Sequence, residues 1–255
     1  MTNASAAIRA ILETDRYWSL YALGDLAPGY IEHSEWRTAE GTPALVLLYR
    51  AATPPVLFAT GDPTAVARLV EAVDEPVLYL HVRPDTAEAL APLYRDGGLK
   101  PMWRMALDAK RFRPEPSSGC VRLASADGDA LERLYGDGRD AGESPDFFFP
   151  SMLANGVFFG VWEGGELAAA AGTHLAVPQE SVGAVGNVYT RRDRRGRGLA
   201  GALTSAVVCE LLQMGIRTVG LNVAAHNPAA VRVYERLGFF RYCPYIEGPA
   251  LRRAL

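Results

Sequence analysis

The stretch Gly186-Asn187-Val188-Tyr189-Thr190-Arg191-Arg192-Asp193-Arg194-Arg195-Gly196-Arg197-Gly198-Leu199-Ala200 decides how the chain reads. Residues 182–190, which run into it, are rich in Val, Tyr and Thr and predict a strand. From its end onward, Leu199, Leu203, Val207, Leu211 and Met214 recur at helical spacing and predict a helix over 198–214. A strand therefore runs into an Arg/Gly loop that opens a long helix. Gly196 and Gly198 lack Cβ, so backbone amides there can approach a ligand closely. The helix start adds unsatisfied N–H groups and the positive end of its dipole. Together these make a site for phosphate or pyrophosphate, to which Arg195 and Arg197 can add charge-assisted bonds. The loop has neither G-K-[ST] nor the spacing G-x-G-x-x-G, which excludes an NTPase loop and a dinucleotide fingerprint. On this segment alone a nucleic-acid patch and a solvated basic loop stay open, since five of the seven residues 191–197 are Arg.

A second motif begins at Asn227: Asn227-Pro228-Ala229-Ala230-Val231-Arg232-Val233-Tyr234-Glu235-Arg236-Leu237-Gly238-Phe239. Asn227 is a good N-cap and Pro228 suits the first helical position. Tyr234 lies about two turns on, over the same face. Gly238 ends the helix and Phe239 opens a strand. Alone, this is an ordinary capped helix with a packed aromatic.

The two motifs together resemble the GNAT superfamily of acyl-CoA-dependent N-acyltransferases, over roughly residues 120–246. There a loop Q/R-x-x-G-x-G/A precedes a helix N-x-x-A-x-x-x-Y-x-x-x-G-F. The stretch 186–200, with its G-N-V-Y-T, looks closest to the glycine N-acyltransferase-like branch. Asp193 stands where the family has Gln or Arg, and Arg192 where Pro is frequent. The resemblance implies acetyl-CoA as cosubstrate, with main-chain groups of Val188, Tyr189 and Thr190 along its pantetheine arm on a splayed strand pair. It implies the pyrophosphate at the amides of Arg195, Gly196, Arg197, Gly198, Leu199 and Ala200. It implies Asn227 on the CoA arm and Tyr234 near the thioester sulfur as the catalytic residue. A phenol of pKa about 10 can protonate the thiolate of a thiol whose pKa is near 8.5. The amine acceptor, a small molecule or peptide, must lose a proton, and His174 and Glu143 are candidate bases. Acceptor contacts are expected over 137–149, from Asp137, Asp140, Glu143, Asp146 and the Phe147-Phe148-Phe149 triplet.

With 255 residues the chain exceeds one such domain. The segment Arg113-Pro114-Glu115-Pro116-Ser117-Ser118-Gly119 reads as a linker, giving domains over 1–113 and 120–255. In the first half, Leu93-Tyr94-Arg95-Asp96-Gly97-Gly98-Leu99 resembles the stretch 233–239, which suggests a degenerate GNAT-like copy. Only Thr60-Gly61-Asp62 precedes its helix at Pro63, with acid where phosphate would sit, so no CoA is expected there. Expected elements of this half are helices over 6–12, 17–26, 63–73 and 85–94 and strands over 44–49, 56–59, 77–82 and 102–107. The second half is expected to hold strands near 121–124, 157–162, 167–176, 182–190, 218–223 and 239–246, with helices after Ser125 or Asp127 and over 228–237. The fold class is α/β (α+β): tandem GNAT-like domains, each a mixed, mostly antiparallel sheet flanked by helices.

Composition bounds the rest. Net charge is −3 and hydrophobic residues make up 49%, a globular balance and not that of a polyanion binder. Only Lys100 and Lys110 are lysine, and the other 24 basic residues are Arg. No apolar run reaches the roughly 18 residues of a membrane span, and no secretory signal opens the chain. Cys120, Cys209 and Cys243 match no zinc spacing, and the four His are scattered, so no metal is expected. The reading is a cytoplasmic acetyltransferase. A homodimer stays open, as do a non-catalytic acyl-CoA sensor and, disfavoured by charge, a nucleic-acid binder.

Overall fold

Short β-branched and aromatic runs between turn signals favour strands that pair with their sequence neighbours. In the computed structural model, which describes residues 3–145 and 147–254, this happens twice. The elements in chain order begin with α1 (Asn3–Glu13), α2 (Leu20–Gly24), β1 (Ser34–Thr38), β2 (Leu45–Tyr49), β3 (Val56–Thr60), α3 (Pro63–Glu71), β4 (Val77–Val82), α4 (Pro84–Leu90), β5 (Tyr94–Asp96) and β6 (Lys100–Asp108). They continue with β7 (Val121–Arg122), α5 (Gly128–Gly136), α6 (Met152–Asn155), β8 (Phe159–Glu163), β9 (Glu166–Val177), β10 (Val182–Thr190), α7 (Leu199–Gln213), β11 (Thr218–Ala224), α8 (Pro228–Arg236) and β12 (Phe240–Arg252). The chain forms two units: Met1–Arg104 with Val223–Asn227 and Arg241–Leu255, and Met105–Asn222 with Pro228–Phe240.

In the first unit β1, β2 and β3 pair antiparallel, α3 crosses over, and β4 joins β3 in parallel. Ile246–Leu251 of β12 then add antiparallel to β4. In the second unit β7, β8, β9 and β10 pair antiparallel, α7 crosses over, and β11 joins β10 in parallel. Strands β1–β3 of the first unit and β8–β10 of the second are thus each followed by a crossover helix and a parallel strand, and β7 is an extra strand of the second unit. Each unit has its own core. Val46, Leu48, Leu57, Val66, Val70, Leu78 and Leu80 fill the first, and Leu123, Leu131, Leu134, Phe158 and Leu167 belong to the second. On α7, Leu203, Val207 and Leu211 are fully buried, each worth roughly 2 kcal/mol. Met214, expected on the same stripe, lies past the last helical residue and is 38% exposed. The Pro-rich segment before Gly119 packs on this helix, the Glu115 N–H donating to Ser205 Oγ at 3.0 Å.

Local differences from the expected elements have local causes. The helix expected over 17–26 forms only as α2, and β1 carries no alternating apolar signal. The helix expected to reach Tyr94 stops at Leu90. Tyr94 instead opens β5, its hydroxyl donating to Glu75 O at 3.0 Å and its ring lying 5.4 Å under the Arg252 guanidinium. Tyr94 and Tyr234 therefore occupy different kinds of element. At the first crossover Asp62 caps α3, its carboxylate accepting the Ala65 N–H at 2.8 Å.

Candidate functional site

The site grows from an interruption in β10. Its parallel register with β11 runs Val182–Val185 against Thr218–Leu221 and goes no further, so Gly186–Thr190 is paired on the β9 side alone. That is the splay expected of the strand pair. The β9 ladder is broken twice. His174 is skipped between Val185↔Thr173 and Ala184↔Leu175, and Asn187 and Val188 bulge between Gly186↔Gly172 and Tyr189↔Ala170. Gly186 makes room for the His174 ring, since a Cβ there would lie 2.4 Å from it.

At the bulge Asn187 adopts φ +53, a left-handed conformation that Asn tolerates better than other side chains. It is 3% exposed, and neither Oδ1 nor Nδ2 of its amide has a hydrogen-bond partner. Its carbonyl is pinned by the Tyr135 hydroxyl, which donates at 2.9 Å. A strained backbone with an unspent buried amide is costly, and such features concentrate at functional sites. The sequence reading did not single out Asn187. The available signal was an Asn inside a Val/Tyr/Thr strand, where a turn former has no local reason to be.

Thr190 then leads into the loop. Gly196 and Gly198 both have φ +78, and a Cβ at either would meet nothing within 4 Å. Glycine is therefore required by backbone conformation rather than by crowding. Gly198 is the N-cap of α7 and supplies no side-chain cap, so the first-turn N–H groups face an exposed loop. Val188 and Thr190 are half-buried on β10, whereas the Tyr189 ring is buried and its hydroxyl donates to Asp137 Oδ2 at 2.8 Å.

The arginines of the loop are already engaged. Arg191 pairs with Asp193 and Glu166, Arg192 with Asp140, Arg194 with Glu163 and Asp193, Arg195 with Glu143 at 2.5 Å, and Arg197 with Glu163 at 2.9 Å. The acidic loop expected to meet an amine thus faces the arginines. Hydrogen bonds from Arg195 hold the Glu143 carboxyl below its usual range, which leaves it a poor base. Exposed pairs of this kind are worth about 0–1 kcal/mol, so an incoming phosphate can displace them cheaply. The aromatic triplet divides: Phe148 packs 5.0 Å from Tyr135, and Phe149 is 60% exposed. Asp146 lies outside the described residues.

Tyr234 sits on the buried face of α8 with Val231, its ring 6.1 Å from Phe239. Burial pushes its phenol up to about 12, so it stays protonated at neutral pH. Asn227 precedes α8, is exposed and belongs to the first unit. The structure thus brings Val188, Tyr189, Thr190 and residues 195–200 into one strand, loop and helix start, with Tyr234 in the same unit.

The chain is similar in sequence and fold to known proteins. The Acetyltransferase (GNAT) family model matches residues 128–239. A mycothiol acetyltransferase of Salinispora tropica is 32% identical over 235 residues, covering 84% of this chain and 70% of that protein. The chain belongs to the GNAT acetyltransferase family. Among solved structures, a GNAT-family acetyltransferase from Novosphingobium aromaticivorans covers 94% of the chain and 100% of its own at TM-score 0.66 and 23% identity. A tandem GNAT protein from the clavulanic acid biosynthesis pathway covers 94% of both chains at TM-score 0.56 and 15% identity. These two speak for the fold, a tandem GNAT arrangement of mixed sheets flanked by helices. A second relative, the mycothiol acetyltransferase of Geodermatophilus obscurus, is 40% identical over 89 residues, and the match spans only 29% of that protein and 33% of this chain. The relatives' name leaves the finer likeness to the glycine N-acyltransferase-like branch resting on the G-N-V-Y-T stretch. Among the described residues no group of three or more His, Cys, Asp or Glu could hold a metal ion, and no helix is long and apolar enough to cross a membrane.

Proposed function

We propose that the chain is an acetyl-CoA-dependent N-acetyltransferase acting on a primary amine. The observation that carries the reading is the uncapped N-terminus of α7 behind two left-handed glycines, directly after the splayed end of β10. Amides of Arg195, Gly196, Arg197, Gly198, Leu199 and Ala200 would hold the pyrophosphate, and main-chain groups of Val188, Tyr189 and Thr190 the pantetheine arm. Asn227 is assigned to that arm on the resemblance of its motif.

Acetyl-CoA supplies a thioester whose acyl carbon accepts the amine. The Val188 N–H and the Asn187 amide stand at the bulge, where they can bond the negative charge that develops on the thioester oxygen. His174, packed on Gly186, takes the proton the amine loses as the C–N bond forms. Tyr234 gives its proton to the sulfur as the C–S bond breaks. Mycothiol-related amines are the first acceptors to try, on the strength of the relatives' name, beside other small amines and peptides. The first half of the chain, residues 1–113, would be a degenerate copy serving packing or acceptor binding, and the enzyme would work in the cytoplasm.

The test is release of free CoA thiol from acetyl-CoA, followed with a panel of small amines, peptides and amino thiols. Amine-dependent release, reduced about 100-fold or more by Tyr234→Phe, is expected. Binding of acetyl-CoA without release for any amine would make the chain a non-catalytic acyl-CoA sensor.

A further inference from the structure

The first unit holds a buried polar cluster that the transferase chemistry of the second does not use. Arg104 is fully buried and lies over three rings, Tyr21 at 4.8 Å, Trp18 at 5.6 Å and Tyr245 at 5.8 Å. Its Nη2 donates to His81 Nε2 at 2.6 Å. Guanidinium can only donate, so His81 Nε2 accepts and the ring proton sits on Nδ1, 3.4 Å from Glu247 Oε2. His81 is therefore neutral, in keeping with burial, which lowers its pKa.

The nearby carboxylates are already spent. Glu247 accepts from the Tyr79 hydroxyl at 3.1 Å and the Tyr245 hydroxyl at 2.5 Å. Asp15 accepts from the Trp18 backbone N–H at 3.2 Å, the Tyr242 hydroxyl at 2.5 Å and Arg83 Nη2 at 2.5 Å. Arg83 also approaches the Trp18 ring, at 5.3 Å. After these bonds Arg104 Nε, Arg104 Nη1 and Arg83 Nε are buried donors with no acceptor. Leaving donors on buried cations unmatched is expensive, and a core that needed only packing would have used an apolar side chain.

We infer that this cluster is a binding site for a small monocarboxylate, held by Arg104 and Arg83 beside the Trp18 ring. Arginine is the side chain best shaped for a carboxylate, and the rings supply a wall for an apolar substituent. Charge favours a monoanion over a phosphate dianion. The two arginines already face two carboxylates, Asp15 and Glu247, so each added negative charge goes uncompensated. Arg83, whose side chain is 38% exposed, marks the edge where the cluster meets solvent.

Calorimetric titration of the full chain with benzoate, acetate and inorganic phosphate, at pH 7.5 and constant ionic strength, tests the site. The expected result is saturable binding of benzoate or acetate and none of phosphate. Arg83→Gln should weaken it about tenfold or more and Arg104→Met should abolish it, whereas Tyr234→Phe should bind as the parent does. Circular dichroism reports the fold of each variant. If Arg104→Met does not fold, the partly exposed Arg83→Gln decides alone. Absence of saturable carboxylate binding to the parent, a preference for phosphate, or unchanged binding in a folded Arg83→Gln overturns the inference.

Discussion

Asn187 carries two costs at once, a left-handed backbone and a buried amide with no partner. If that amide serves the thioester oxygen, Asn187→Ala should lower kcat about tenfold or more while acetyl-CoA affinity holds. Steady-state kinetics beside calorimetry separates the two, and a change confined to affinity would make Asn187 a binding residue only. Tyr234 makes the opposite kind of demand, a proton kept in place. Its phenol, pushed up to about 12 by burial, stays neutral across the working range. The turnover profile should therefore show no fall traceable to Tyr234 below about pH 11. With His174 as the base, His174→Gln should lower kcat about 100-fold or more while acetyl-CoA affinity holds, as kinetics beside calorimetry would report. Turnover that survives in His174→Gln assigns the base elsewhere.

At the scale of elements, strand, loop and helix start form a unit whose charges are already paired. Hydrogen bonds from Arg192 and Arg195 keep Asp140 and Glu143 ionised by lowering their pKa values, so these acids compete with any bound phosphate. The double change Asp140→Asn with Glu143→Gln should tighten acetyl-CoA binding a few-fold at low salt, an effect that fades as salt screens the pairs. The strand, the loop and α7 could be read ahead of the structure because their signals are local: β-branched residues, glycines and a helical repeat. The partners of the arginines could not, because Asp137, Asp140 and Glu143 lie some 50 residues earlier and nothing local links the two loops. The same reason hid the bulge at Asn187, which depends on register with β9. Tyr94 reads locally as the end of a helix, but it opens β5 under the guanidinium of Arg252, a partner far along the chain.

At the scale of the whole molecule, the same strand and helix order appears in both units, but the second crossover alone has an open helix start. In the first, Asp62 fills that position. Stability should carry its own pH signature from the first unit. Burial pushes the Asp25 carboxyl up to about 8, far above an unfolded value of about 3.9. Its neutral form is the one the fold accepts, so its contribution is complete below about pH 4 and is lost as pH rises through 8. Asp25→Asn should remove that dependence and leave the variant roughly 2–5 kcal/mol more stable than the parent at pH 9, as denaturant unfolding would report. Parallel stability curves for the two proteins would count against a buried neutral carboxyl. The central claim is that the glycine loop and the α7 start hold acetyl-CoA. Calorimetric titration of acetyl-CoA into the parent chain, Gly198→Glu and Gly198→Ala tests it most directly, because the Glu carboxylate stands where the pyrophosphate would lie and the Ala variant carries the same backbone strain at φ +78 without the charge. Binding by the parent and a loss of about 100-fold or more in a folded Gly198→Glu, well beyond that of Gly198→Ala, are expected; equal affinity in the parent and Gly198→Glu would contradict the claim.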